Sequence, residues 1–261
     1  MDLQLRGKNT LVTGSTAGIG LAIATALARE GADVVVNGRT EARVAEAISK
    51  VRTEATGSVS GIAADGGTRA GTDHIIAQLG DVDVLVNNLG IFEPKPFGQI
   101  PDEDWLRFFE VNVLSGVRLS RAFLPGMLQR NWGRVVFISS ESAYQTPAEM
   151  IHYGMTKSAQ VAVARGLAET TAGTGVTVNS VLPGPTRSEG LEGFADRLSG
   201  GKSFGEFEHE FFTRVRPTSL LKRFETVQEI GSVVAFVCSP LASAINGAAV
   251  RAEGGVLKSA F

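Results

Sequence analysis

Short apolar runs alternate along this chain with stretches long enough to be helices, and that alternation limits the fold more than any other feature. Residues 10–12, 34–36, 82–86 and 135–138 are four such runs; 176–182 and 248–251 follow, with 58–63 a weaker member. Between them lie 18–30, 41–54, 69–79, 102–129, 152–172 and 226–238. Strands joined by crossover helices make a parallel sheet covered on both faces, so the runs are apolar throughout rather than at every second residue. The pattern predicts an α/β fold: a doubly wound parallel sheet with helices on both faces. No repeat or linker interrupts it, and 261 residues suit a single domain spanning 1–261.

Two segments break the rhythm. Residues 94–101 carry three prolines and read as a loop. Residues 187–217 follow a strand end without a strand of their own and are expected to form a substrate lid. Phe194, Phe204, Phe207, Phe211 and Phe212 make this lid apolar, so its rings either cover an apolar substrate or pack on the domain.

A net charge of −2, with no run of like charges, offers no field for nucleic acid and no membrane patch, so a small molecule is the expected partner. No apolar run nears the ~20 residues of a membrane span, and residues 1–8 lack a signal-peptide core, which predicts a cytoplasmic protein. The single cysteine, Cys238, reads as a small buried side chain. His74, His152 and His209 are far apart, with no cysteine or carboxylate at ligand spacing, and no metal site is expected.

Where the first run meets the first helix, the chain reads Thr13, Gly14, Ser15, Thr16, Ala17, Gly18, Ile19, Gly20. Glycines let backbone N–H groups close on a pyrophosphate at a helix N-terminus, where unpaired donors and the helix dipole favour negative charge. Because 31 of the 261 residues are glycine, the strand–turn–helix context carries this reading more than the spacing does. No Lys-Ser or Lys-Thr follows Gly20, which disfavours a triphosphate-binding loop. About 20 residues on, dinucleotide-binding units place an acid on the adenosine ribose or a cation on a 2'-phosphate. The second strand here ends Asn37, Gly38, Arg39, without a carboxylate, and the Arg39 fork suits phosphate. NADP is expected, with NAD the alternative.

Tyr153 and Lys157 lie four apart in a helix-like stretch, which puts them on one face. An adjacent ammonium favours the phenolate, so the pair predicts a phenol acidified from its ordinary ~10 into a working proton donor and acceptor. Ser139 and Ser140 end the run 135–138, and alternation along a strand lets only one of them face a cofactor. His152 is turned about 100° from Tyr153 and is expected at the surface or behind the site.

These residues, with Asp65, Asn87-Asn88-Leu89-Gly90, Asn112 and Pro183-Gly184-Pro185-Thr186 in this order, make the chain resemble the short-chain dehydrogenase/reductases over essentially its whole length. The resemblance implies a seven-stranded Rossmann-type sheet and a dimer or tetramer. It implies Tyr153 as general acid in reduction and base in oxidation, with Ser140, thirteen residues before it, orienting the reacting oxygen. Lys157 would bind the nicotinamide ribose and lower the tyrosine pKa, and Asn112 would hold a relay water. Asp65 and Asn88 would meet the adenosine half of the cofactor and Thr186 the carboxamide. Further cofactor contacts are expected from Gly14, Ser15, Thr16, Gly18, Ile19, Gly20, Arg39, Gly90, Tyr153, Lys157, Pro183 and Gly184. The family usually has alanine at Leu89, and its NADP-preferring members often have a basic residue at Ala17, so the NADP expectation rests on Gly38 and Arg39.

The expected function is NAD(P)-dependent oxidoreduction of a ketone or aldehyde and an alcohol by hydride transfer, on an apolar substrate if the phenylalanines line the site. One alternative is a 3-ketoacyl-carrier reductase, for which Arg130 and Arg134 would supply basic surface. The other is a non-catalytic NADP-sensing regulator. A helix at 152–172, apolar on nearly every side, predicts an oligomer interface, with burial under neighbouring helices the alternative.

Overall fold

Strand β1 (Asn9–Val12) runs through the glycine turn into helix α1 (Gly18–Arg29). The unit repeats through β2 (Asp33–Gly38), α2 (Glu41–Arg52), β3 (Val59–Ala63), α3 (Arg69–Gln78) and β4 (Val84–Asn87). After α4 (Asp102–Phe109) and α5 (Ser115–Gln129) come β5 (Gly133–Ile138), α6 (Ile151–Thr170) and β6 (Val176–Pro183). Short β7 (Thr186–Arg187), α7 (Phe204–Glu210), β8 (Glu225–Thr226), α8 (Val227–Cys238) and β9 (Ala249–Ala252) complete the order in this computed structural model, which describes residues 1–190 and 203–260.

Seven strands form one parallel sheet in the order β3-β2-β1-β4-β5-β6-β9, the doubly wound Rossmann-type arrangement read from the sequence. Alternation along each strand divides the core between its faces. Val12, Val36, Val86 and Val136 pack with Ile23 and Leu27 of α1 and Ile230 and Val234 of α8, while Leu11, Leu85, Val135 and Phe137 face Leu119 and Met127 of α5. All residues of β5 and β6 are buried, the polar Arg134, Thr177, Asn179 and Ser180 among them. The strand order reverses between β1 and β4, so a crevice opens at their carboxyl ends.

Three features depart from the sequence reading. The stretch 102–129 is two helices joined by one π-helical turn, Glu110–Leu114, which leaves backbone groups there free to bond elsewhere. Strands β7 and β8 form a two-stranded ribbon too short to carry any periodicity. Of the two placements expected for His152, at the surface or behind the site, the surface one fails: it is fully buried, with Phe108 4.1 Å and Trp105 5.9 Å from its ring, and burial lowers its pKa.

Of the expected lid, Phe194 and the rest of 191–202 lie outside the described residues. Phe204, Phe207, Phe211 and Phe212 pack among themselves and on Phe224, with centroids 5.0 to 6.3 Å apart. Helix α6 buries Thr156, Lys157, Gln160, Ala164 and Ala168, and its half-buried Val163 and Leu167 share an apolar groove with Val117 and Leu128 of α5. Among the described residues no helix is long and apolar enough to cross a membrane.

Candidate active site

The glycine turn is built so that backbone faces the crevice. Gly14 has φ +59°, which a side chain would strain, and a Cβ at Gly20 would stand 2.4 Å from the Gly14 carbonyl oxygen. Ala17 caps α1 with no side-chain hydrogen bond, so the first N–H groups of that helix have no capping side chain. Two asparagines brace the turn. Asn88 Nδ2 donates to the carbonyls of Thr13 (2.9 Å) and Gly14 (3.1 Å), and Asn37 Nδ2 donates to those of Ile62 and Ala64 (3.1 Å each). The Ser15 hydroxyl donates to the Val12 carbonyl and accepts from Asn37 N–H, so it locks the loop to both strands. Asn88 was expected against the adenosine; its amide nitrogen is spent on the glycine turn. A loop with this conformation at a helix N-terminus fits a pyrophosphate.

The other expected cofactor contacts lie along the same carboxyl edge. Arg39 is exposed beyond β2, and a Cβ at Gly38 would stand 2.3 Å from the Thr16 methyl, so the acid of an NAD site has no room while Thr16 holds its rotamer. Ile19 is half-buried in the first turn of α1. Asp65 is exposed after β3 and accepts Gly67 N–H at 3.1 Å. A Cβ at Gly90 would be 3.5 Å from Lys157 Nζ, so the bare backbone of the β4 turn lies over the lysine. Beyond Pro183, Gly184 N–H donates to the Ala252 carbonyl and to Glu225 (3.1 Å each), and the Thr186 hydroxyl donates to the Gly184 carbonyl (2.9 Å).

Strand β5 delivers the serines. Ser139 donates to the Lys157 carbonyl (2.8 Å) and so faces α6, while Ser140 faces Tyr153 and hydrogen-bonds with it. Lys157 is buried, donates to the Ile138 carbonyl (2.9 Å), and has its Nζ 5.5 Å from the centre of the Tyr153 ring. Asn112, in the π turn, accepts Ile91 N–H (2.8 Å) and donates to the Ile91 carbonyl (3.0 Å) and Thr156 (2.9 Å). Its own carbonyl accepts Gln160 Nε2 at 2.6 Å.

The electrostatics run against the expected acidification of the phenol. Burial raises the Tyr153 pKa, the Glu141 carboxylate raises it further, and only the Ser140 hydrogen bond and Arg216 pull it down. Burial pushes Lys157 down to about 7, opposed by Glu141, so the lysine is too weakly charged to dominate its neighbour. Glu225 is pushed up to about 7 by burial, partly countered by Gly184 N–H.

Sequence reasoning missed Glu141, Arg216, Glu225, Gln160 and Phe92. Phe92 meets Tyr153 edge to face at 6.4 Å and is half exposed. Two carried a signal: Gln160 continues the i, i+4, i+7 series of Tyr153 and Lys157 on α6, and Glu141 directly follows Ser140; Arg216, Glu225 and Phe92 reach the site from segments with no such spacing.

A family model described as short chain dehydrogenase matches residues 8–197. An uncharacterized oxidoreductase, YvaG, of Bacillus subtilis (strain 168) is 49% identical over 264 residues, covering 100% of each chain. The 3-oxoacyl-(acyl-carrier-protein) reductase FabG of Aquifex aeolicus (strain VF5) is 30% identical over 98% of this chain and 100% of its own. Among solved structures, L-sorbose reductase from Gluconobacter frateurii, complexed with NADPH and L-sorbose, superposes with a TM-score of 0.92 at 30% identity, covering 99% of this chain and 100% of that one.

Proposed function

Because this chain belongs to the short-chain dehydrogenase family, we propose that it is an NADP-preferring oxidoreductase interconverting a polar, hydroxylated ketone and its alcohol. The observation that carries the reading is the meeting of Ser140, Tyr153 and Lys157 beneath the bare Gly90 backbone, at the carboxyl edge where the glycine turn opens. When bound, the dinucleotide supplies or takes up the hydride. Tyr153 gives the proton to the reacting oxygen in reduction and takes it in oxidation, and Ser140 orients that oxygen. Lys157 holds the nicotinamide ribose, and the Asn112 carbonyl anchors a water behind it. The ammonium gained in a charged state would offset the penalty that burial places on the phenolate.

NADP is supported by Arg39, by the missing acid at Gly38 and by the NADPH of the sorbose reductase. A polar substrate is supported by the packing of Phe207 and Phe211 on Phe224, which engages these rings with one another. The carrier-protein alternative loses its basic surface. Arg134 is 2% exposed and bonded to the carbonyls of Ser239, Gly133 and Gly175, and Arg130 pairs with Asp81 and Asp83. Both lie at the amino edge of the sheet, away from the site. The groove between α5 and α6 is proposed as a self-association surface giving a dimer or tetramer.

The test is NADPH oxidation against ketoses, keto acids, apolar ketones and acyl thioesters. Ketoses should turn over fastest, and Tyr153→Phe should lose about 10²–10⁴-fold in kcat with NADPH affinity kept. Full turnover in Tyr153→Phe would remove the assignment, and NADPH binding without turnover of any substrate would favour a sensor.

A further inference from the structure

Glu141 directly follows Ser140, and its side chain has no exposed role. Oε1 accepts Arg216 Nε–H at 3.0 Å, with both side chains less than a tenth exposed. Oε2 accepts Ser142 N–H at 2.9 Å and also meets the hydroxyls of Ser142 (3.2 Å) and Ser140. An ionised carboxylate can only accept, so the single hydrogen of the Ser140 hydroxyl goes to Glu141. The Ser140 proton is thus turned to Glu141 rather than to Tyr153, which stands on the other side of the hydroxyl, and the Ser140 oxygen also accepts Ser142 N–H at 3.1 Å. Arg216 reaches Glu141 from the segment after α7, 75 residues along the chain, and its other arm lies 3.5 Å from Glu149.

We propose that Glu141 and Arg216 are positioning residues for the reacting pair: Glu141 fixes the sense of the Ser140 hydroxyl, and Arg216 holds that carboxylate in place and offsets its charge. A Ser140 held this way offers an acceptor to an alcohol O–H, and must let go of Glu141 before it can donate to a carbonyl oxygen. Loss of Arg216 leaves a buried carboxylate unpaired beside the phenol, whereas loss of the Glu141 charge frees the Ser140 proton. The inference rests on the reading of Tyr153 as the acid–base group.

The groups facing Tyr153 come from several elements: Ser140 and Glu141 after β5, Lys157 on α6, Arg216 after α7 and the Phe92 ring after β4. Glu149 acts through Arg216, and Glu225 faces Glu141. Of these, the Glu141 charge opposes the phenolate and Arg216 favours it; Ser140 favours it only when its proton leaves Glu141 and is donated to Tyr153. The two positioning residues therefore act on Tyr153 with opposite signs, which a packing role would not produce.

The chain has two tyrosines, so Tyr144→Phe leaves Tyr153 as the sole one. Biosynthetic replacement of tyrosine by 3-fluorotyrosine in that background then gives a single fluorine probe on a more acidic phenol, titrated by ¹⁹F NMR in the full chain without cofactor or substrate. Glu141→Gln should move the midpoint down by about half a pH unit or more, and Arg216→Met should move it up by a similar amount. Arg216→Lys should stay within about 0.2 of the parent, and the double variant Glu141→Gln/Arg216→Met should fall below Arg216→Met alone. Midpoints that move the same way, or stay put in variants folded by circular dichroism, would overturn the proposal. Should Arg216→Met not fold, a Glu141→Gln midpoint at or above the parent is enough to do so. No turnover enters this titration, so it fails separately from the assignment tested by Tyr153→Phe.

Discussion

The two halves of the carboxyl edge are built from different materials. From β1 to β3 the crevice is lined by backbone, by glycines and by amide side chains that brace the backbone, with Thr16, Asn37 and Asn88 filling the gaps. From β5 to β6 it is lined by buried ionisable groups: Lys157, Glu141 with Arg216, and Glu225 against Gly184. The first half depends on where atoms are, so an added atom should break it. The second depends on charge in a medium that screens charge poorly, so pH and isosteric neutralisation should move it.

The largest effect is expected from Gly20→Ala. Its Cβ would meet the Gly14 carbonyl oxygen at 2.4 Å and Asn88 Nδ2 at 2.5 Å, and neither is the free end of a flexible side chain. Overpacking of this kind costs about 3 kcal/mol, or ~100-fold in NADPH affinity by fluorescence titration. If Gly20→Ala binds as tightly as the parent, the cradle is not shape-limited and the contrast between the halves fails.

On the charged half the comparison is sharpened by pH. Lys157 has a folded pKa of about 7, below its unfolded value, so the folded protein carries the full burial cost below pH 7. That cost is lifted as pH rises toward the unfolded value, and stability should increase by about 2 kcal/mol between pH 7 and 9. Glu225 has the opposite sign. Its folded pKa, about 7, is raised above the unfolded value, so stability is lost as pH climbs from about 4.5 to 7. Together the two groups put a dip in stability near neutral pH. Thermal melts should show that Lys157→Met removes the rise above 7 and Glu225→Gln the fall below it; profiles unchanged by either variant would deny these groups their charges.

How much of this could be read from the chain follows the same division. The glycine turn, the parallel α/β sheet and the Tyr153–Lys157 spacing were legible because each is written in consecutive or periodic residues. Alternation along β5 said only that one of Ser139 and Ser140 could face the site, and the choice of Ser140 came from the family resemblance; the Ser139 hydrogen bond to the Lys157 carbonyl sends that hydroxyl toward α6. The direction of the tyrosine shift was not legible, because it is set by burial and by Glu141, whose partner is 75 residues away. For His152 the sequence left surface and interior open for a similar reason. Helix geometry turned it away from Tyr153 correctly, but only the packing of α4 on α6 encloses it between Phe108 and Trp105.

Cofactor choice tests the cradle more gently. In Gly38→Asp/Arg39→Leu the new Cβ meets a methyl of Thr16 rather than backbone, and that side chain can turn away. The ratio of kcat/KM for NADPH over NADH should fall by about tenfold or more, and adding Thr16→Ala should deepen the fall. An unchanged ratio would show that Arg39 does not meet the cofactor.

The smallest effect on selectivity is expected at Phe207, and it separates the Phe204–Phe212 cluster from both halves of the site. Its ring lies parallel to that of Phe224 at 6.0 Å and also packs on Phe204 and Phe211, a cluster that can hold itself together without a ligand. Removing the ring in Phe207→Ala should cost about 1 kcal/mol of stability from lost ring contacts. KM values for an apolar and a small polar ketone should then rise together, with their ratio within about twofold, because a ring engaged with other rings contributes to where the segment sits rather than to what it touches. A KM that climbs for the apolar ketone alone would return these phenylalanines to the substrate and would weaken the case for a hydroxylated one.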